Sequence, residues 1–242
     1  MRRHELSDAE WELVEPLLPR PVFGRPRLDD RTVLNGIVWK FRTGVAWRDV
    51  PERYGSWASL HTRFRRWAAD GTFERMLQAA QARADAAGDI EWLVSVDSTV
   101  VRAHQHAAGA RKGGRGPALG RSRGGLTSKI HLACDGSGRP RKRPGHVIGD
   151  KGYSSKAIRT WLRRRGIAHT IPKRSDQVAN RARRGSRGGR PPIFDKQVYR
   201  RRNVVERCFN RLKQWRGIAT RYGKTAQSYQ AAVTLASLLL WA

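Results

Sequence analysis

The spacing of apolar residues changes along this chain. From Leu6 to about residue 88 they recur at helical intervals. "LSDAEWELVEPLLP" opens with Ser7 and carries Glu10 three places on, the pattern of a capping box, and so predicts a short helix stopping near Pro19. "RPVFGRPRL" is a Pro/Arg linker. Three helical stretches follow: "DDRTVLNGIVWKFRTG", "AWRDVPERYG" and "SWASLHTRFRRWAADG". In the first, Val33, Ile37, Val38 and Phe41 line one face. The third starts at Ser56, puts Trp57, Leu60, Phe64 and Trp67 on one side, and carries Arg63, Arg65 and Arg66 elsewhere. Gly44 and Gly55 punctuate the turns. An Ala-rich helix, "TFERMLQAAQARADAAG", leads into the next domain.

Beyond residue 88 the pattern turns β-like. "EWLVSVDSTVVRAH" is rich in Val and holds Asp97 inside the run. "HQHAAGARKGGRGPALGRSRGG" predicts a Gly/Arg loop. "LTSKIHLACD" and "HVIGD" predict a second and a third strand, "SSKAIRTWLRRRG" a helix, and "IAHTIPK" a fourth strand. "RARRGSRGGRPP" predicts a flexible basic run, and "FDKQVYRRRNVVERCFNRLKQWRG" one long helix. "AAVTLASLLLWA" is too short to span a bilayer and predicts a buried helix. Strands followed by a strand–helix–strand unit give an α/β fold with a mixed sheet. The domains are expected at 1–88, helical, and 89–242, α/β.

Charge narrows the function. The 242 residues carry 49 Lys and Arg against 20 Asp and Glu, a net charge of +29. That excess points to a polyanion held through its phosphates, DNA or RNA. The helices before residue 71, with a basic last member, fit a helix-turn-helix unit whose DNA contacts would be Arg63, Arg65 and Arg66; an ordinary bundle with a basic outer face fits the same pattern. Cys134 and Cys208 have no metal spacing and suit a reducing compartment. The charged start "MRRHELSDAEWELVEPLL" predicts no signal peptide, so the expected location is the cytoplasm, beside the nucleoid. His104 and His106 have no cysteine near them, which fits loop residues facing DNA better than a zinc site.

Three acids are candidates for chemistry. Asp97 lies within a strand, where a charge is costly unless paired or liganded. Asp150 ends a strand, and Glu206 lies in the long helix. At about 100° per residue, Tyr199, Arg202, Glu206 and Lys213 share one stripe of that helix, while Val205, Cys208, Phe209 and Leu212 form an apolar side. A carboxylate among a phenol, a guanidinium and an ammonium suits a phosphodiester with a bound metal.

The spacing Y-x2-R-x3-E-x6-K over Tyr199, Arg202, Glu206 and Lys213 resembles the signature of bacterial insertion-sequence DDE transposases. "VDSTVVRAH", "GGLTSKIHLACD" and "GDKGYSS" resemble blocks of the insertion-sequence family five type, and "RTGVAWRDVPERYGSWASLHTRFRRW" resembles that family's DNA-binding head. The resemblance implies a ribonuclease-H-like catalytic domain. Asp97, Asp150 and Glu206 would be its catalytic and metal-binding acids, with Mg²⁺ or Mn²⁺ as cofactor, and Tyr199, Arg202 and Lys213 would contact DNA. Its partners would be the element's terminal inverted repeats and target DNA, bound by a homo-oligomer. The family also carries a third strand and a helix where this chain has only "GSGRPRKRPG", so an internal deletion near residues 138–145 is expected, costing one edge strand and one covering helix. The alternative is a relic that binds DNA without cutting it. An RNA-binding protein is a further reading, which the signature helix argues against.

Overall fold

In the computed structural model the change of period becomes a change from helices to strands. The structure describes residues 4–19, 28–88, 93–108, 118–134 and 144–240. In chain order come α1 (Asp8–Val14), α2 (Asp30–Thr43), α3 (Trp57–Ala69), α4 (Thr72–Ala86), β1 (Leu93–Ala103), α5 (Gln105–Ala108), β2 (Gly120–Ser122), β3 (Gly125–Cys134), β4 (His146–Gly149), α6 (Lys156–Arg164), β5 (Ala168–Thr170), α7 (Ser175–Arg183), α8 (Lys196–Arg200), α9 (Asn203–Lys213), α10 (Arg216–Ala219), β6 (Thr220–Arg221) and α11 (Ala226–Leu239). They form two compact units. The first takes Met1–Ala87, Val100–Ile130 and Asn210–Ala242; the second takes Gly88–Thr99 and His131–Phe209.

The first unit is mainly helical. The capping box is present: Ser7 Oγ accepts the Glu10 amide and Glu10 accepts the Ser7 amide. Asp29 caps α2 by accepting the Thr32 amide, and α2 stops at Gly44 in a left-handed conformation, φ 77°. Only glycine fits there, because a Cβ would also meet Arg216 Cβ at 2.8 Å. Val33, Leu34, Ile37 and Phe41 of α2 are buried with Leu60, Phe64 and Trp67 of α3 and Phe73 and Met76 of α4. The Phe41 and Phe64 rings lie 5.1 Å apart, and the Phe64 and Phe73 rings 5.8 Å. α11 packs on α3 and α4, and α10 packs on α2, where Gly217 lies against the Phe41 backbone. The stretch 46–55 differs from its predicted helix. It forms two 3₁₀ turns, Trp47–Asp49 and Glu52–Tyr54. Pro51 between them has no N–H to give and keeps Val50 extended, so a continuous helix cannot form. The Gly/Arg region predicted as loop holds α5 and β2 among its described residues. β2 pairs antiparallel with β3 in the register Gly120–Thr127 and Ser122–Gly125, joined by Arg123 and Gly124. β6 pairs in parallel with the end of β1, Arg102 opposite Thr220.

The second unit is the α/β part. Its strand order is β3-β1-β4-β5, with β1–β4 and β4–β5 parallel. Ser155 caps α6 by accepting the Ile158 amide, and Leu162 then packs with Val147, Ile167 and Ile171. Two predictions needed correction here. The basic run 181–192 is not flexible chain at its start: Arg181 and Arg183 end α7, and a 3₁₀ turn follows over Gly185–Gly188. The long helix is broken between α8 and α9. At the break the Arg201 and Arg202 amides bond to carbonyls three residues back. Asn203 there favours a helix start over a helix interior. The segment expected to replace a strand and a helix falls largely at 135–143, outside the described residues. What the second unit does show is an open apolar groove of about 990 Å³ between the sheet and α6, lined by Val94, Val96, Val147, Ile158, Trp161 and Ile171.

Candidate active site

Two of the three predicted acids sit at one level of the sheet. The last register pair of β1 and β4 is Val96–Gly149. One step further come Asp97, inside β1, and Asp150, just past the end of β4, on neighbouring parallel strands spaced about 4.8 Å apart. Asp150 leaves the strand and starts a 3₁₀ turn, Lys151–Tyr153, by accepting the Gly152 amide on Oδ1 at 2.9 Å. A Cβ on residue 152 would stand 3.0 Å from that oxygen, so glycine keeps the turn tight around the carboxylate.

Asp97 is held from two sides. Its Oδ1 accepts the Ser98 amide at 2.8 Å, and its Oδ2 accepts Arg202 Nη1 at 3.0 Å. The same guanidinium donates through Nη2 to Glu206 Oε1 at 2.6 Å. Arg202 and Asp97 are only 17% and 15% exposed, whereas Glu206 is 50% exposed. The inner half of this ion-pair chain is therefore little screened, and the outer half is open to water. Burial works against the Arg202 charge, but Asp97, Tyr199 and Glu206 outweigh it and raise the guanidinium above its ordinary range. Tyr199 lies 5.9 Å under the guanidinium and packs against Phe194 at 5.2 Å. Among the described residues no three His, Cys, Asp or Glu side chains gather as a metal cage. Arg202 is the cation between Asp97 and Glu206.

Two more groups belong to this neighbourhood. The Tyr153 hydroxyl lies 2.8 Å from His131 Nδ1 on β3. Burial raises the Tyr153 pKa, and the charges of Asp97 and Asp150 add to that rise against a hydrogen bond with Ser98. Tyr153 was legible as the end of the "GDKGY" block, whereas His131 carried no signal beyond its exposed place in a strand. Of the other predicted residues, Lys213 is exposed and lies in the first unit. So do Arg63, Arg65 and Arg66. Arg65 and Arg66 are exposed, while Arg63 turns inward, paired with Asp30 and stacked 5.4 Å over Trp67. His104 lies against His106 at 4.5 Å and Tyr222 at 5.0 Å.

Residues 6–77 match the family model described as "Putative transposase of IS4/5 family", and residues 137–241 match the "Transposase DDE domain". A 16.2 kDa insertion element IS402 protein of Burkholderia cepacia is 35% identical over 112 residues, 43% of this chain and 76% of that protein. The chain belongs to the insertion-element transposases. "Uncharacterized protein y4sN" of Sinorhizobium fredii is 43% identical over 116 residues, 46% of this chain and 89% of that protein. "Putative transposase for insertion sequence element IS6501" of Brucella ovis is 29% identical over 138 residues, 48% of this chain and 98% of that protein. No solved structure matches the chain. Within the transposase DDE span lie Asp150, Tyr199, Arg202, Glu206 and Lys213; Asp97 precedes it. No helix among the described residues is long and apolar enough to cross a membrane.

Proposed function

We propose that this transposase binds the terminal inverted repeats of its element and cuts and joins DNA there, with Asp97, Asp150 and Glu206 as the catalytic acids. The observation that carries this reading is the placement of Asp97 and Asp150 at one level on adjacent parallel strands, with Arg202 linking Asp97 to Glu206. Residues 89–242 would be the ribonuclease-H-like catalytic domain, and 1–88 the DNA-binding domain, helix-turn-helix-like, with Arg65 and Arg66 offered to phosphates. The assembly would be a homo-oligomer on paired ends, working beside the nucleoid on element and target DNA.

The donor set fits Mg²⁺ or Mn²⁺. Carboxylate oxygens are hard ligands, and neighbouring carboxylates repel one another unless a cation stands between them. Asp97, Asp150 and Glu206 would hold the ions, which when bound supply an activated nucleophile and a stabilised leaving oxygen. The protein's own groups do the rest. Arg202 neutralises Asp97 and Glu206 in the free chain and is placed to turn to a phosphate oxygen once the acids have another cation. Tyr199 supports its guanidinium from below. The Tyr153 hydroxyl, steadied by His131, stays protonated through neutral pH and offers a hydrogen bond at the rim of the two aspartates.

One observation favours the second reading, a DNA-binding relic that does not cut. Among the described residues the acids are not gathered, and a guanidinium occupies the middle. Cleavage of a duplex carrying the element's end, with Mg²⁺ and with Asp150→Asn as control, separates the two. Cleavage that drops at least a hundredfold in the control supports the enzyme. Tight binding with no cleavage by either chain supports the relic.

A further inference from the structure

The segment between β5 and α8 has no role in the chemistry above, and it is the most basic ordered part of the second unit. Lys173, Arg174, Arg181, Arg183, Arg184, Arg187 and Arg190 stand against two acids: Asp176, which pairs with Arg174 at 2.8 Å, and Asp195, which caps α8. Among the described residues none of Arg183, Arg184, Arg187 and Arg190 has a carboxylate partner, and all four are exposed.

This segment is built, and its two ends are tied to the site. At its root, Gln177 Nε2 donates to the Ser154 carbonyl at 3.2 Å. Ser154 closes the turn that begins at Asp150, through its amide to the Lys151 carbonyl at 3.3 Å. Its carbonyl also takes Arg159 Nε at 3.3 Å, so the anchor is fixed from a second side. At the tip, Arg181 Nε donates to the Gly189 carbonyl at 2.8 Å and folds the 3₁₀ turn back on α7. Glycine is required in that turn, since a Cβ on residue 188 would come 2.5 Å from the Arg181 carbonyl. On the return, Phe194 packs on Tyr199 and Asp195 caps α8. One end therefore sits on the Asp150 turn and the other on the signature tyrosine.

A solvated surface gains nothing from crowding like charges into an ordered turn, since each unpaired guanidinium raises the cost of its neighbours. A polyanion removes that cost. Arginine matches phosphate oxygens with two donors at once, which a lysine cannot do. We propose that α7 and the turn after it form a phosphate-gripping arm that holds the DNA strand where it leaves the Asp97–Asp150 site. This rests on the reading of that site as the place where DNA is cut.

The test uses the full chain with Arg183→Gln, Arg184→Gln and Arg187→Gln combined. These side chains are exposed, so the fold is kept, and Arg181, which holds the turn, is left alone. Fluorescence anisotropy reads binding to an element-end duplex and to an unrelated duplex over a range of salt. Each lost phosphate contact lowers the slope of log affinity against log salt by about 0.9. The expected result is a slope shallower by about 2 to 3 on both duplexes, with an unchanged melting temperature. The arm is overturned if the slope stays as in wild type while Arg65→Gln with Arg66→Gln lowers it; DNA binding would then stand without the arm. Wild-type chain that shows no salt-dependent DNA binding overturns the functional reading itself, and the arm with it. Loss of binding to the element end alone also overturns it, because a phosphate grip reads no sequence.

Discussion

Arg202 has one charge to share between two acids. Removing it leaves Asp97 little exposed and without its cation. Arg202→Gln is therefore expected to lower stability by about 1–3 kcal/mol, the usual cost of a buried group left unpaired. The same change frees the acids for another cation. Adding Mn²⁺ should raise the melting temperature of the variant more than that of the wild type, as expected when a ligand binds only the folded form. An equal rise in both would mean that Arg202 and the ion do not compete. Lys40 makes a pH argument. It is 5% exposed, lies 4.1 Å from the Phe41 ring, and burial lowers its pKa to about 8. Below pH 8 it is charged in both folded and unfolded chains, and the fold carries the desolvation cost. As pH rises from 8 towards 10 the folded state releases its proton first, so this contribution to stability rises with pH. Lys40→Met should remove that rise and stabilise the fold at pH 7, by melting curves taken across this range. Residues such as Asp97 and Asp150 stood out in sequence because a strand pattern with an acid in it is anomalous. Arg63 was read as a DNA contact and His131 was not marked at all, because pairing with Asp30 or reaching Tyr153 is decided by folding that no local spacing records.

Helices with a cap and an apolar face were legible: α1 from Ser7 and Glu10, α2 from Val33 to Phe41, α6 from its Ser155 start. The break between α8 and α9 was not, since Tyr199, Arg202 and Glu206 keep helical spacing across it. α7 was not predicted as an element. Its last three residues fall in the basic run 181–192 read as flexible, yet the Gln177 and Arg181 bonds that hold it reach residues 23 positions back and 8 ahead. At this scale α6 is the vulnerable element. One side of it closes a small core, and the groove leaves Trp161 half exposed. Leu162→Ala should cost about 2–4 kcal/mol, measured by urea unfolding. A fluorescent apolar dye should bind the wild type through the groove, and less after Trp161→Lys.

For the whole molecule, a functional boundary and a folding boundary are different things. The pattern of periods placed a helical part before residue 88, and α1 to α4 are there. Nothing in that pattern says that their core also needs α10 and α11, because the contact is made by residues far along the chain. Residues 1–88 expressed alone are expected to expose the apolar faces of α3 and α4 that α11 covers. By circular dichroism they should melt without a cooperative transition, and adding residues 210–242 through a linker should restore one. A fragment that melts cooperatively alone would show that α10 and α11 add little. The net charge of +29 belongs to the same scale, and it predicts that binding to DNA weakens steeply as salt is raised, which fluorescence anisotropy over a salt series checks.

The dependence of α4 on α11 sets an order of events during synthesis. The ribosome releases α1 to α4 early, but their partner helix emerges only after the whole α/β unit has been made. Until then the faces of α3 and α4 that α11 covers have no finished surface to bury against. A nascent chain is therefore expected not to settle its first unit before α11 has been translated. A chain stopped before residue 210 is expected to leave that face open and to be cleaved by protease faster than the full chain. The first unit is thus closed late: α1 to α4 wait for α11 to complete the packing of α3 and α4.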